Sequence, residues 1–186
     1  MEFLQITQDL VVRSAGPGGE RLLCGIVVPF GVDQRIDDAL TERFQRGAFT
    51  HQLKAANRVR LLSEHSISRS CMQLGYAREL REDPNGLYGE FRVVEGPFGD
   101  HYLALAREGA VREWSIGFHP NASRYDGRTR VLTKATVFET ALVPEGAYGP
   151  RAQVVAVREM LPTLPVLPTL PVLTRDLLLA RMPKPR

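Results

Sequence analysis

The sequence predicts an α+β fold in which strands dominate and a few helices interrupt them. Two observations carry this: short apolar runs recur between turn residues, and two segments place apolar side chains at helical spacing. Residues 22–28 form the first run, closed by Pro29. Residues 47–56 follow as a helix with Phe49, Leu53 and Ala56 on one face. Runs at 59–62 and 75–80 come next, and then Asp83-Pro84-Asn85-Gly86, a turn whose every position has suitable chemistry. Residues 87–94 continue as the hairpin partner. A second helix at 99–108 turns Tyr102, Leu103, Leu105 and Ala106 inward, with Gly109 as its stop. Strands at 113–118, 130–140 and 153–158 complete the set, with Asp126-Gly127 turning one pair.

A chain of 186 residues suits one domain with a real core. Composition changes at Leu161, where Leu-Pro-Thr-Leu-Pro-Val is read twice with a proline every third residue. That spacing matches polyproline II, so prolines form one ridge and leucines another, and neither helix nor central strand can accommodate them. The expected organisation is a domain at 1–160 and an extended Pro/Leu-rich tail at 161–186 with a short helix at 176–182. An exposed leucine ridge on a stiff stalk would suit docking to a partner.

The basic balance does not indicate nucleic acid. Arg175, Arg181, Lys184 and Arg186 stand against Asp176, so the whole formal charge of +3 lies in the tail and residues 1–159 are neutral. Two cysteines, Cys24 and Cys71, cannot build a four-cysteine zinc site or a multi-bridge scaffold, and a reducing cytosol is their expected home. The first ten residues carry Glu2 and Asp9 in place of a basic start and an apolar stretch, and no run approaches the ~20 apolar residues of a membrane span. Neither export nor membrane insertion is expected.

Several chemistries are excluded by missing constellations. The glycines at 16–19 lack the lysine of a phosphate loop, and His51, His65, His101 and His119 have no metal-ligand spacing. Glu113 occupies the position before Trp114-Ser115-Ile116-Gly117 where a nucleophile elbow needs glycine. No metal or cofactor is expected. What remains is His65, just past an apolar run, and Ser115, a small hydroxyl inside a strand. A serine is a weak nucleophile until a base takes its proton, and histidine suits that role near neutral pH. Glu139, a carboxylate in an otherwise apolar strand, could orient the imidazole. Each residue also has an ordinary structural reading, and the residue pattern alone does not choose. Cys71 is an alternative nucleophile, and His119, an even offset from Ser115, an alternative third member. His101 reads as structural. Backbone near Ile116, or Arg112, could serve an oxyanion.

An ordered set of elements carries a resemblance. Residues 25–30, Arg43-Phe-Gln-Arg-Gly-Ala-Phe49, Leu62-Ser-Glu-His65, Leu74-Gly-Tyr76, Asp83-Pro-Asn-Gly-Leu87, Trp114-Ser-Ile-Gly-Phe118 and Phe138-Glu-Thr-Ala-Leu-Val-Pro144 with Ala147-Tyr148 resemble the prohead serine proteases of tailed bacteriophages. The resemblance implies a mostly antiparallel, barrel-like core related to the herpesvirus assembly protease. It implies a serine endopeptidase that cleaves scaffold or major capsid protein inside immature capsids in a bacterial cytoplasm, with self-association as a further option. His65 then matches the general base, Ser115 the nucleophile and Glu139 the third member. The alternative is a catalytically silent assembly protein with the same fold. Ala141 and Gly146 stand where the family often has Ser and Pro.

Overall fold

The apolar runs pair into a single sheet organised around one long strand. A computed structural model describes residues 21–36, 38–65 and 70–158, so the tail at 161–186 and its predicted helix lie outside the described residues. The strands are β1 (Leu22–Pro29), β2 (Gln34–Arg35), β3 (Thr41–Phe44), β4 (Arg60–Leu62), β5 (Gln73–Asp83), β6 (Gly86–Val93), β7 (Glu113–Asp126), β8 (Thr129–Val143) and β9 (Val154–Arg158). Their order is β2-β3-β8-β4-β5-β6-β1-β9, with β7 also paired to β8. Pairing is antiparallel except where β3 and β4 meet β8. The architecture is the predicted α+β class, mostly strands, with the sheet curled into a half-barrel. Its ends are drawn together where Trp114 N–H donates to Ala152 O and Val154 N–H to Arg112 O, both at 2.8 Å.

Alternation along the strands sends one face inward. Leu23, Phe44, Phe49, Phe91, Trp114 and Leu132 are almost fully buried in one cluster, with ring centroids 5.2 Å apart for Phe44–Phe49 and 5.0 Å for Phe91–Trp114. Helix α1 (Pro97–Arg107) adds Leu103 and Ala106 to this core. It starts two residues before the predicted 99–108 because Pro97 fits the first helical turn, where an N–H has no helical partner to lose. Its end is as expected: Gly109 N–H returns to Ala106 O and Ala110 N–H to Leu105 O. No helix among the described residues is long and apolar enough to cross a membrane.

Two expectations are corrected by long-range pairing. β7, predicted at 113–118, runs on to Asp126 through Pro120 and Asn121 as an exposed arm against β8. Proline is tolerated there because an edge strand can turn its missing donor toward solvent. β8 likewise extends beyond 130–140. Gly127, with φ +60°, opens the two-residue turn between Asp126 and Thr129 in the glycine-first manner of a type II′ hairpin. β2 and β3 were not predicted, since Gln34-Arg35 and Thr41-Glu-Arg-Phe44 contain almost no apolar pattern of their own.

The helix predicted at 47–56 is a 3-10 helix at Thr50–Arg58 with a break at Ala55. Gly47, Phe49 and Thr50 all donate to the Glu82 carboxylate, from the two backbone N–H groups at 2.9 and 2.8 Å and the hydroxyl at 3.3 Å. A carboxylate from a neighbouring strand thus satisfies donors that a regular helix start would leave open. The helix passes β8 between β3 and β4, and buried Gln52 faces Val137 there. Its amide donates to Val137 O at 3.2 Å and accepts from Val137 N–H at 2.8 Å. One side chain therefore replaces a missing strand. Gln52→Leu keeps the volume but leaves both backbone groups unpaired, so urea unfolding should show a loss of about 1–3 kcal/mol.

Candidate active site

β8 fixes the site through two registers. On one edge the parallel strand β4 sets Arg60 beside Glu139 and Leu62 beside Ala141. On the other edge β7 sets Ser115 beside Ala141 and Gly117 beside Glu139. Directly opposed residues share a face, so Ser115, Gly117, Arg60, Ala141 and Glu139 belong to the same side of the sheet. Strands lie about 4.8 Å apart, which leaves roughly 10 Å between β4 and β7 across Ala141. An imidazole arriving from the end of β4 can span that gap.

His65 does so. β4 ends at Leu62, and Ser63 closes the following loop twice: its N–H donates to Met72 O at 2.9 Å, and its hydroxyl accepts from Met72 N–H at 3.0 Å. From this base His65 Nε2 lies 2.8 Å from Ser115 Oγ, and its Nδ1 lies 3.1 Å from Glu139 Oε1. A neutral ring protonated at Nδ1 donates to the carboxylate and leaves Nε2 to accept the serine proton. The three residues singled out in the sequence are thus in one hydrogen-bonded line.

Glu139 is almost fully buried, at 2% exposure, so its charge needs compensation. Arg60 Nη2 lies 3.4 Å from its second oxygen, Oε2. The carboxylate is held between a guanidinium and an imidazole. Gly117 makes the room: a Cβ built there would lie 2.6 Å from Glu139 Cγ and 2.8 Å from the Phe138 ring. Neither Arg60 nor Gly117 was singled out as a site residue. Arg60 had a visible signal, as the charged member of an apolar run, but its meaning depends on the parallel register with β8.

The other candidates fall elsewhere. His119 is exposed and its ring lies on Phe138 with centroids 4.7 Å apart. Phe138 is the extra residue where β7–β8 pairing steps from Gly117–Glu139 to Phe118–Val137. His101 is exposed on α1, beside Tyr102. The Cys71 thiol donates to Glu64 O at 3.4 Å within the loop that carries His65. Arg112 is exposed at the head of β7. Because Trp114 donates away from β8, the two-residue period turns the Ile116 N–H to the same outer edge. Among the described residues no group of three or more His, Cys, Asp or Glu side chains could hold a metal ion.

Glu113 and Gly146 account for two oddities of the sequence. Glu113 Oε2 accepts the Gly146 N–H at 2.7 Å, and Oε1 lies 3.4 Å from Gln153 Nε2. The buried glutamate thereby ties the segment after β8 to the start of β7, a bond that proline at 146 could not make.

The sequence pattern of the caudovirus prohead serine proteases matches residues 8–164. The chain belongs to that family. The matched span includes His65, Ser115 and Glu139 and all nine strands. No curated protein matches the chain. Membership in the prohead serine proteases makes peptide-bond hydrolysis during capsid maturation the chemistry against which this site is judged.

Gly117→Ala tests the packing of the site independently of any reaction. The added methyl should displace the Glu139 side chain, break its contact with His65 and cost about 1–3 kcal/mol through overpacking. A histidine NMR spectrum should show a changed His65 Nδ1 environment in a folded protein.

Proposed function

We propose that this chain is a serine endopeptidase that cleaves scaffold, major capsid protein or both inside an immature phage or prophage-like capsid in its bacterial host. The observation that carries the reading is the His65 ring, hydrogen-bonded to Ser115 on one nitrogen and to Glu139 on the other. Family membership supports the substrate class, since prohead proteases act in capsid maturation. A kinship of fold with the herpesvirus assembly protease belongs to the same reading, supported by the curled, mostly antiparallel sheet.

In this mechanism Ser115 Oγ attacks the scissile carbonyl while His65 Nε2 takes its proton. The imidazolium so formed is stabilised by Glu139 across Nδ1, and Arg60 holds that carboxylate in place from its other oxygen. His65 then gives its proton to the leaving amine, and an acyl-enzyme remains on Ser115. Water, activated by the same nitrogen, releases the acid. His119 has no role in this scheme.

Co-expression with the neighbouring shell protein, followed by mass spectrometry of both chains, tests the reading. Specific truncation should appear with the parent protein and vanish with Ser115→Ala, a loss on the order of 10⁴-fold or more in rate. An uncut shell protein that still assembles with the parent chain would establish the silent assembly role instead. Acidification should slow cleavage, because an imidazolium cannot accept the serine proton. Glu139→Gln should slow turnover without erasing it, while His119→Gln should leave it near the parent rate; the opposite ranking would transfer the third position to His119.

A further inference from the structure

At the opposite end of β8 from Ser115 lies a cleft of about 270 Å³. Val131 in its wall is ten residues from Ala141, or about 33 Å of extended strand. Phe30, Phe44 and Val131 form its apolar part, and Arg43, Arg46 and Arg124 its polar part. Among the described residues no carboxylate lines it.

The three arginines are not equally committed. Arg43 is held between Asp33, at 3.3 Å, and Asp126. Among the described residues Arg124 donates only to the neutral amide oxygen of Gln45, at 3.4 Å. Arg46 has no ion pair among the described residues. Two guanidiniums without carboxylate partners among the described residues therefore face one small cleft that is partly lined by apolar side chains. Its volume is below that of most cofactor pockets but takes a side chain or two.

We propose that this cleft is a docking site for an acidic peptide segment of another protein, one in which a carboxylate stands beside an apolar side chain. Arginine offers paired donors matched to a carboxylate, and the half-buried Phe30 offers apolar contact to the neighbouring residue. Charge distribution favours this occupant over nucleic acid. Asp33 and Asp126 flank the arginine cluster and would repel the successive phosphates of a polyanion, but not a single carboxylate between apolar neighbours. Residues 1–159 also carry no net charge, unlike the strongly basic balance of a nucleic-acid-binding domain.

The test is fluorescence anisotropy of the full chain with a labelled peptide of alternating glutamate and leucine. An oligonucleotide of equal charge and the matching lysine–leucine peptide are run beside it. The acidic peptide should bind, and Arg46→Glu with Arg124→Glu should weaken it by about tenfold or more, with the lysine peptide gaining in that variant. Circular dichroism checks the fold, and if the reversal unfolds the chain, Arg46→Ala with Arg124→Ala should still lower affinity. Unchanged peptide binding in a folded variant would overturn the proposal. So would tighter, arginine-dependent binding of the oligonucleotide. Binding is the only readout, so the result stands apart from whether Ser115 cleaves anything.

Discussion

The site depends on β8 being paired along both of its edges at once. A strand in the middle of a sheet fixes its neighbours to within one residue, because a slip by one would turn every side chain to the wrong face. β4 brings Arg60 and the approach of His65 from one side, and β7 brings Ser115 and Gly117 from the other. The hydrogen-bonded line from serine to glutamate is therefore a consequence of two independent registers meeting on Glu139 and Ala141. Gln52 protects the same arrangement further along, by closing a stretch of β8 edge that neither β3 nor β4 reaches.

Buried charge is the second constraint. A carboxylate with 2% exposure is costly unless paired, and Glu139 is paired on both oxygens. Overpacking would be as damaging as a missing partner, since the glutamate stem fills the space left by the absent side chain of Gly117. The Ser-x-Gly spacing thus has a steric reason that holds whatever Ser115 does: the residue two beyond Ser115 lies on the same face and must leave room for Glu139.

Legibility in the sequence followed the range of the interaction that decides each feature. His65, Ser115 and Glu139 stood out only weakly by pattern, as an imidazole past a strand, a hydroxyl within one and a lone carboxylate in an apolar run, and it was the ordered resemblance to the prohead proteases that joined them. The hairpin at Asp83–Gly86 and the stop at Gly109 were visible because turn chemistry is local. β3 was not, since Thr41-Glu-Arg-Phe44 becomes a strand only by pairing with Thr129–Leu132, far along the chain. For the same reason the length of β7 beyond Phe118 was hidden: its outer residues are exposed and polar, and β8 alone holds them extended. Arg60 shows the limit most clearly. It carries the same local signal as Glu139, a charge among apolar neighbours, yet only the parallel pairing of their strands joins the two.

The length of the β7–β8 ladder bears on how such a protein would engage a large substrate. At 14 and 15 residues these strands are the longest of the described fold, with the Ser115 site near one end and the arginine-lined cleft near the other. Arg124 and Val131 of that cleft are themselves paired across the ladder. A segment docked there would be positioned relative to Ser115 by the paired strands β7 and β8 instead of a flexible connection. About 33 Å of strand path is too great for one side chain to serve both places but within the reach of ten or so extended residues. Under the proposed endopeptidase function, the two sites would select a cleavage point by its distance from an acidic anchor as well as by the residues at the scissile bond. Under that function the arrangement would raise the effective concentration of a tethered substrate without tightening the contacts at Ser115, leaving the cleaved ends free to depart.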